Sequence, residues 1–256
     1  MERMSLHRRA LLGGVATASA MLAVNRSGFR ALASDATPAA AYTPTIVPGN
    51  FVPTIDNPFL PLIPGTLFIY DGMKDNRKMH NEMLATSDTK TIMGVPCVVV
   101  QDRVWEEGTL IESTLDWYAQ DTDGNVWYMG EYSEAYEDGK TDTAGSWEGG
   151  VDGALPGIIM DAHPAIGDPY RQEYYAGEAE DMAQVIEIGT PVTVPYGSYT
   201  DTITTREWSA LEPSVEENKF YARGIGFVSS KSTKGENEMF ELTDIKTGVS
   251  ATPTTG

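Results

Sequence analysis

The chain has 256 residues and a formal charge of −19, from 18 Lys and Arg against 37 Asp and Glu, with three His and one Cys. Hydrophobic content of 41% and aromatic content of 9% fit one large folded domain or two small ones and exclude wholesale disorder. Such acidity excludes a general nucleic-acid binder, which needs Lys and Arg to displace counterions. A single Cys excludes an internal disulfide and any multi-cysteine zinc or iron–sulfur site.

Residues 1–33 read as a signal peptide. Arg8-Arg9 precede a mild, Gly- and Ala-rich apolar run from Leu11 to Val24, and Ala31-Leu32-Ala33 supplies small residues for signal-peptidase cleavage. Paired arginines in His7-Arg8-Arg9-Ala10-Leu11-Leu12 resemble a twin-arginine signal, with Leu11 where Phe is common and no Lys just after. An ordinary secretory signal, and cleavage after Ala41, are the alternatives. The prediction is an exported protein, periplasmic or extracellular. The run is too short to span a bilayer and no second apolar stretch is longer, so no transmembrane helix is expected. Removing residues 1–33 leaves 13 basic and 36 acidic residues.

Residues 34–65 are predicted to be an extended arm, because Pro44, Pro48, Pro53, Pro58, Pro61 and Pro64 forbid helix. Residues 66–246 are predicted to be one antiparallel β domain, and residues 247–256 a frayed tail. The fold class is all-β, a curled antiparallel meander closing toward a barrel, with a β-sandwich as the alternative. Glu178–Ile186 is the one short helix the sequence allows.

The central hairpins have a predicted register. A two-residue turn at Glu107-Gly108 pairs Val104 with Ile111, Val100 with Leu115 and Val98 with Trp117. A three-residue turn ending at Gly124 pairs Tyr118 with Tyr128, Ala119 with Trp127 and Trp117 with Met129. Asp138-Gly139 closes a third hairpin, with Glu137 opposite Lys140. This register gives a core face of Val98, Val100, Val104, Ile111, Leu115, Trp117, Trp127 and Met129. The second face carries Asp116, Tyr118, Gln120, Tyr128, Tyr132 and Tyr136. So many tyrosines on one polar face point to a groove or cavity, or to cover by the proline-rich arm. The candidate ligand-binding residues are Asp116, Tyr118, Tyr128, Tyr132, Arg171 and Glu173.

Acid is concentrated: residues 102–181 hold 20 Asp and Glu against Arg103, Lys140 and Arg171. A calcium site is one reading, with Asp121 and Asp123 of Asp121-Thr122-Asp123-Gly124-Asn125 as candidate ligands; a structural turn and a solubilising surface are the others. His163, in a polar loop beside Asp161, and Asp116 are the candidate catalytic residues. In the predicted register Asp116 and Glu131 fall on opposite faces, which disfavours a glycosidase carboxylate pair. Met79 and His80 point to opposite sides of a strand, which disfavours copper. Cys97 lies in an apolar strand and reads as buried and inert.

Several segments resemble secreted bacterial β-sheet proteins of unassigned function. They are Met93–Val100, the run Asp116-Trp117-Tyr118-Ala119-Gln120-Asp121 with Gly124-Asn125-Val126-Trp127-Tyr128, and Tyr170-Arg171-Gln172-Glu173-Tyr174. Val194–Tyr199 followed by Tyr221–Gly226 resembles a closing pattern of envelope β-sheet domains. The resemblance covers roughly residues 56–232 and implies an exported, curved antiparallel sheet with no transferable catalytic residues. The functional expectation is an exported, non-catalytic binding or envelope-associated domain that takes a small molecule or an envelope component at the tyrosine face. A secreted hydrolase using acidic residues with His163 or Arg171, and a calcium-stabilised structural module, are the competing expectations.

Overall fold

The computed structural model describes residues 42–251, together with a two-residue pairing of Arg8–Arg9 with Val15–Ala16. The signal-peptide reading of residues 1–33 otherwise lies outside the described residues, as does the end of the tail. The described residues are strands and turns with one 3-10 turn, Pro48–Asn50. None forms a helix long and apolar enough to cross a membrane.

Thirteen strands make the continuous path of one sixteen-stranded antiparallel sheet, on which the short strands Phe51–Val52, Lys140–Asp142 and Trp147–Glu148 pair from the side. They are β1 (Thr66–Lys74), β2 (Arg77–Ile92), β3 (Val95–Glu106), β4 (Thr109–Asp121), β5 (Val126–Glu137), β6 (Leu155–Met160), β7 (Tyr170–Arg171), β8 (Glu173–Tyr174), β9 (Asp181–Ile188), β10 (Thr202–Ser209), β11 (Glu216–Ala222), β12 (Gly226–Lys234) and β13 (Glu238–Lys246). Their spatial order is β7-β9-β10-β11-β12-β13-β1-β2-β3-β4-β5-β6-β8. The terminal strands β7 and β8 are consecutive in sequence. Tyr170 and Arg171 pair with Ala183 and Met182 on one edge, while Glu173 and Tyr174 pair with Pro156 and Leu155 on the other. One five-residue segment therefore bridges both edges and nearly closes the sheet into a barrel, the architecture expected from the sequence.

The hairpins form because their turn residues tolerate a left-handed backbone. Glu107 and Gly108 have φ of 49° and 80°, Asp138 and Gly139 of 51° and 72°. These are the two-residue turns that match strand twist. The tips pair as predicted: Glu106 opposite Thr109, Gln120 opposite Val126, and Glu137 opposite Lys140. Further along, the predicted register is wrong. A bulge between Val104 and Trp105 places Val100 opposite Asp116 and Val98 opposite Tyr118. A second bulge between Trp117 and Tyr118 on β4 and its β5 partners sets Trp117 opposite Gly130 and Asp116 opposite Glu131. A shift of one residue exchanges the faces of a strand. Val98, Val100 and Val104 consequently share the inner face with Asp116, Tyr118 and Tyr128, while Leu115, Trp117 and Met129 face outward. Asp116 and Glu131 are direct neighbours on one face, contrary to the expectation from the sequence. The expected helix over Glu178–Ile186 is also corrected. Most of it is the strand β9, whose alternating Asp181, Ala183 and Val185 are buried.

Among the described residues there are two apolar clusters. The larger fills the lumen with Phe68, Tyr70, Met83, Val98, Val100, Tyr118, Tyr128, Ile203, Tyr221, Phe227 and Leu242, capped by Ile55, Phe59, Leu60 and Leu62 of the arm. The smaller lies on the outer face of β2–β5 and comprises Ile92, Val95, Cys97, Val99, Trp117, Ala119 and Met129, with Ile46 and Phe51 of the arm packed on it. Burial pushes the Cys97 thiol up to about 12.

Candidate functional site

The lumen gathers Asp116 and Glu173 of the acidic candidates, with Glu131 beside them. Tyr118 and Tyr128 stack with ring centres 5.0 Å apart, and Trp147 meets Tyr128 edge-on at 5.4 Å. Tyr128 donates a hydrogen bond of 2.7 Å to Oδ1 of Asp116. The amide of Asn81 donates to Asp102, and Lys219 pairs with Glu207 at 2.9 Å and Glu217 at 3.7 Å. Burial first, and then the neighbouring Asp102, hold the Asp116 carboxyl well above the usual carboxylate range. Burial and Asp116 do the same to Glu131, and burial and Asp181 to Glu173. Burial alone would lower Lys219, but Glu207 and Glu217 outweigh it and hold the ammonium up.

Asp116 and Glu173 are 1% exposed, and Tyr118 and Tyr128 not at all. Four of the six ligand-binding candidates thus meet in the interior of the barrel, packed by side chains and out of reach of solvent. The other two are elsewhere. Arg171 lies over the rings of Tyr174 and Tyr42, at 4.5 Å and 6.0 Å, where β7 meets the arm. Tyr132 is on the outer face, 42% exposed.

The remaining candidates occupy a different end of the fold. Asp121 Oδ1 accepts from the backbone N–H groups of Asp123 and Asn125, and Oδ2 from the Asn125 amide and the Trp127 indole. Its oxygens hold the turn together, and Asp123 is exposed. Among the described residues no three His, Cys, Asp or Glu converge as a metal site. His163 is exposed in its loop, its backbone N–H bonded to Asp161, while Asp116 is sealed in the lumen; the two catalytic candidates are not brought together. Met79 faces the lumen and His80 the outside, where Nδ1 meets Asp71 at 2.7 Å.

The site that the sequence did not reveal is a groove of about 710 Å³ on the outer wall. It begins at an irregularity in β2. Ala85 pairs with Val100 and Thr89 with Val98, so Thr86, Ser87 and Asp88 span a gap that β3 crosses with Val99 alone. Thr86 Oγ1 replaces the missing ladder donor by bonding the Val99 carbonyl at 2.7 Å, and in turn accepts from the Asp88 N–H at 3.1 Å. Buried Thr86 and exposed Ser87 and Asp88 make one bank, and Ser250 and Ala251 also line the groove. Val99, Leu115 and Trp117 form apolar walls, Gln101 lies between them, and Tyr132 stands at the rim. Lys90 sits 3.4 Å above the Trp117 ring and pairs with Glu148 at 2.7 Å. The groove continues the outer apolar cluster beyond the part covered by Ile46 and Phe51. A Gly in mid-strand, Gly130, is the sequence signal for the bulge that turns this face outward.

No family model matches the chain, and no curated protein matches it. Two solved structures superpose on it with a TM-score of 0.43 each. One is a protein described as a lipoprotein from Parabacteroides distasonis, 11% identical, covering 75% of this chain and all of its own. The other, from Bacteroides fragilis, is described as an exported protein with a YmcC-like fold; it is 15% identical and covers 73% of this chain and 98% of its own.

Proposed function

We propose that the protein is an exported, non-catalytic binding domain of the cell envelope whose ligand sits in the outer groove. The observation that carries this reading is the groove itself. Among the described residues, the apolar side chains of Val99, Leu115 and Trp117 on the β wall line, with Ser250 and Ala251, a trough of about 710 Å³, the size and lining of a small-molecule site. The lumen candidates, by contrast, are buried among packed side chains. The basic, Ala-rich segment with Arg8-Arg9 supports export by the twin-arginine route, which carries proteins already folded, and the one free thiol fits a chain that needs no oxidation to fold.

Nuclear magnetic resonance of the protein titrated with small-molecule mixtures from its host tests the binding reading. Shifts confined to residues 86–90 and 115–117, abolished by Leu115→Glu, are expected. Shifts at Asp116, Tyr118 and Tyr128 instead return the site to the tyrosines. Fractionation of cells carrying Arg8→Lys with Arg9→Lys tests the route: the precursor is expected to stay in the cytoplasm, and unchanged export assigns the general secretory route.

A further inference from the structure

Independently of the groove, we propose that residues 170–174 form a pH-operated clasp: the barrel is shut while the Glu173 side chain carries its proton, and the wall parts at this segment once that proton leaves. The segment is held by little backbone. β7 meets β9 through Tyr170 and Arg171 alone, and β8 meets β6 through Glu173 and Tyr174 alone. Glu173 lies opposite Pro156, which has no N–H to offer that edge. Pairings this short can open while the longer ladders of the sheet stay closed. The clasp's own side chains add to the cost of closure. Gln172 and Glu173 are each 1% exposed, and Gln172 Nε2 and Glu173 Oε2 have no hydrogen-bond partner among the described residues. Opening hands both atoms to water and recovers that cost.

The groups around Glu173 make its charge the trigger. Asp181 of β9, Asp116 of β4 and Glu131 of β5 all oppose a negative charge there, and Tyr128 of β5 stands close to it. The Trp147 indole and the Lys219 ammonium of β11 favour that charge, but Lys219 is already paired with Glu207 and Glu217. Arg171, on the segment itself, lies over the rings of Tyr174 and Tyr42. In the closed barrel, burial first and then Asp181 hold the Glu173 carboxyl well above the usual carboxylate range. In an opened clasp the same carboxyl is solvated and returns toward the ordinary glutamate value. Above that value the closed form binds one proton more than the open form, so closure weakens as pH rises.

Hydrogen exchange of the full chain from about pH 5 to pH 8, corrected for the intrinsic rates, tests the clasp. Protection at residues 170–174 is expected to be lower than in β3 and β4 at every pH, and to fall about tenfold for each pH unit, the slope of one proton released on opening. Glu173→Gln keeps the shape of the neutral side chain and has no proton to lose. It is expected to abolish the slope at residues 170–174 and to leave the pH response of β3 and β4, which Asp116 and Glu131 still carry. Asp181→Asn removes a carboxyl that opposes the Glu173 charge, and is expected to raise clasp protection at pH 8. Exchange of residues 170–174 at the same rate as β3 and β4 means that the segment opens with the whole barrel, and overturns the proposal. A pH-independent clasp in the unaltered protein, or a slope that survives Glu173→Gln, overturns it too. Should Glu173→Gln fail to fold, unchanged clasp protection in Asp181→Asn at pH 8 does the same.

Discussion

The phenol of Tyr128 donates its hydrogen to the Asp116 carboxyl at 2.7 Å, deep in a lumen where neither side chain reaches solvent. The bond joins neighbouring strands β4 and β5 on the inner face, beside the Tyr118 ring stacked on Tyr128. It gives a buried acid a hydrogen-bond donor.

Tyr128→Phe keeps the ring, its stacking on Tyr118 and its edge contact with Trp147, and removes only the donor. The loss is expected to be about 1–3 kcal/mol, the cost of an orphaned buried acceptor. Urea denaturation of the two proteins measures it, with an unchanged slope indicating that the barrel itself is intact.

Stability is expected to fall as pH rises from about 5 to 8. Asp116, Glu131 and Glu173 are pushed up in the folded barrel, by burial first and then by neighbouring carboxylates: Asp102 for Asp116, Asp116 for Glu131 and Asp181 for Glu173. The unfolded chain releases these protons near pH 4 to 4.5, at the ordinary carboxylate values. Above that range the native state binds more protons than the unfolded state, so the unfolding free energy declines with pH. The stabilisation is fully present below the unfolded values and is lost as pH climbs toward the folded ones. Calorimetry at pH 5 and pH 8 checks the sign, and Glu131→Gln is expected to flatten the slope. A higher melting temperature at pH 8 contradicts it.

Lys219→Met leaves Glu207 and Glu217 without their shared cation in the interior. Breaking a buried pair from one side costs about 3–5 kcal/mol. Adding Glu207→Gln to Lys219→Met is expected to recover part of that loss, and a double-mutant cycle in urea reads the coupling.

Gly157→Ala is expected to loosen the closure of the barrel. A Cβ at this position would stand 2.4 Å from the Gln172 carbonyl group and 2.6 Å from the Arg171 oxygen. Overpacking of this kind costs about 1–3 kcal/mol, and it falls on the bridging segment. Hydrogen exchange should accelerate at residues 170–174 before it does so in β3 and β4.

The turns and the barrel-like meander were legible in the sequence because Glu107-Gly108, Gly124 and Asp138-Gly139 act locally, through the φ each residue tolerates. The faces were not, because each bulge slips the register by one residue and so exchanges the faces beyond it. At Gly130, with φ of 140°, a Cβ would lie 2.5 Å from the Trp147 carbonyl, so the kink in β5 depends on a strand 17 residues away. Asp116, Tyr118 and Tyr128 were rightly grouped on one face, because the pairing of Tyr118 with Tyr128 lies on the turn side of that kink. Tyr132 lies beyond it and was placed on the wrong side. Gln101 is displaced by the other bulge, between Val104 and Trp105: Leu115, expected opposite Val100, lies opposite Gln101 and sets it among apolar side chains.

The two seams of the barrel are unlike. At one, β13 lies along β1, with Leu242 opposite Tyr70 and Lys246 opposite Leu67, and the Val249 N–H reaches the Gly65 carbonyl at 3.0 Å. The beginning and end of the wall are thus already side by side. At the other, the segment 170–174 is reached from β6 through an exposed loop around residue 165. A circular permutant that opens this loop and joins residue 249 to residue 65 would keep every neighbour among β1 to β13, though not the pairing of Phe51 and Val52 with Asp121 and Gln120, yet it would separate the two halves of the wall into units that must find each other again at their distal edges. The order in which the strands are made, rather than their final arrangement, is what such a chain would change.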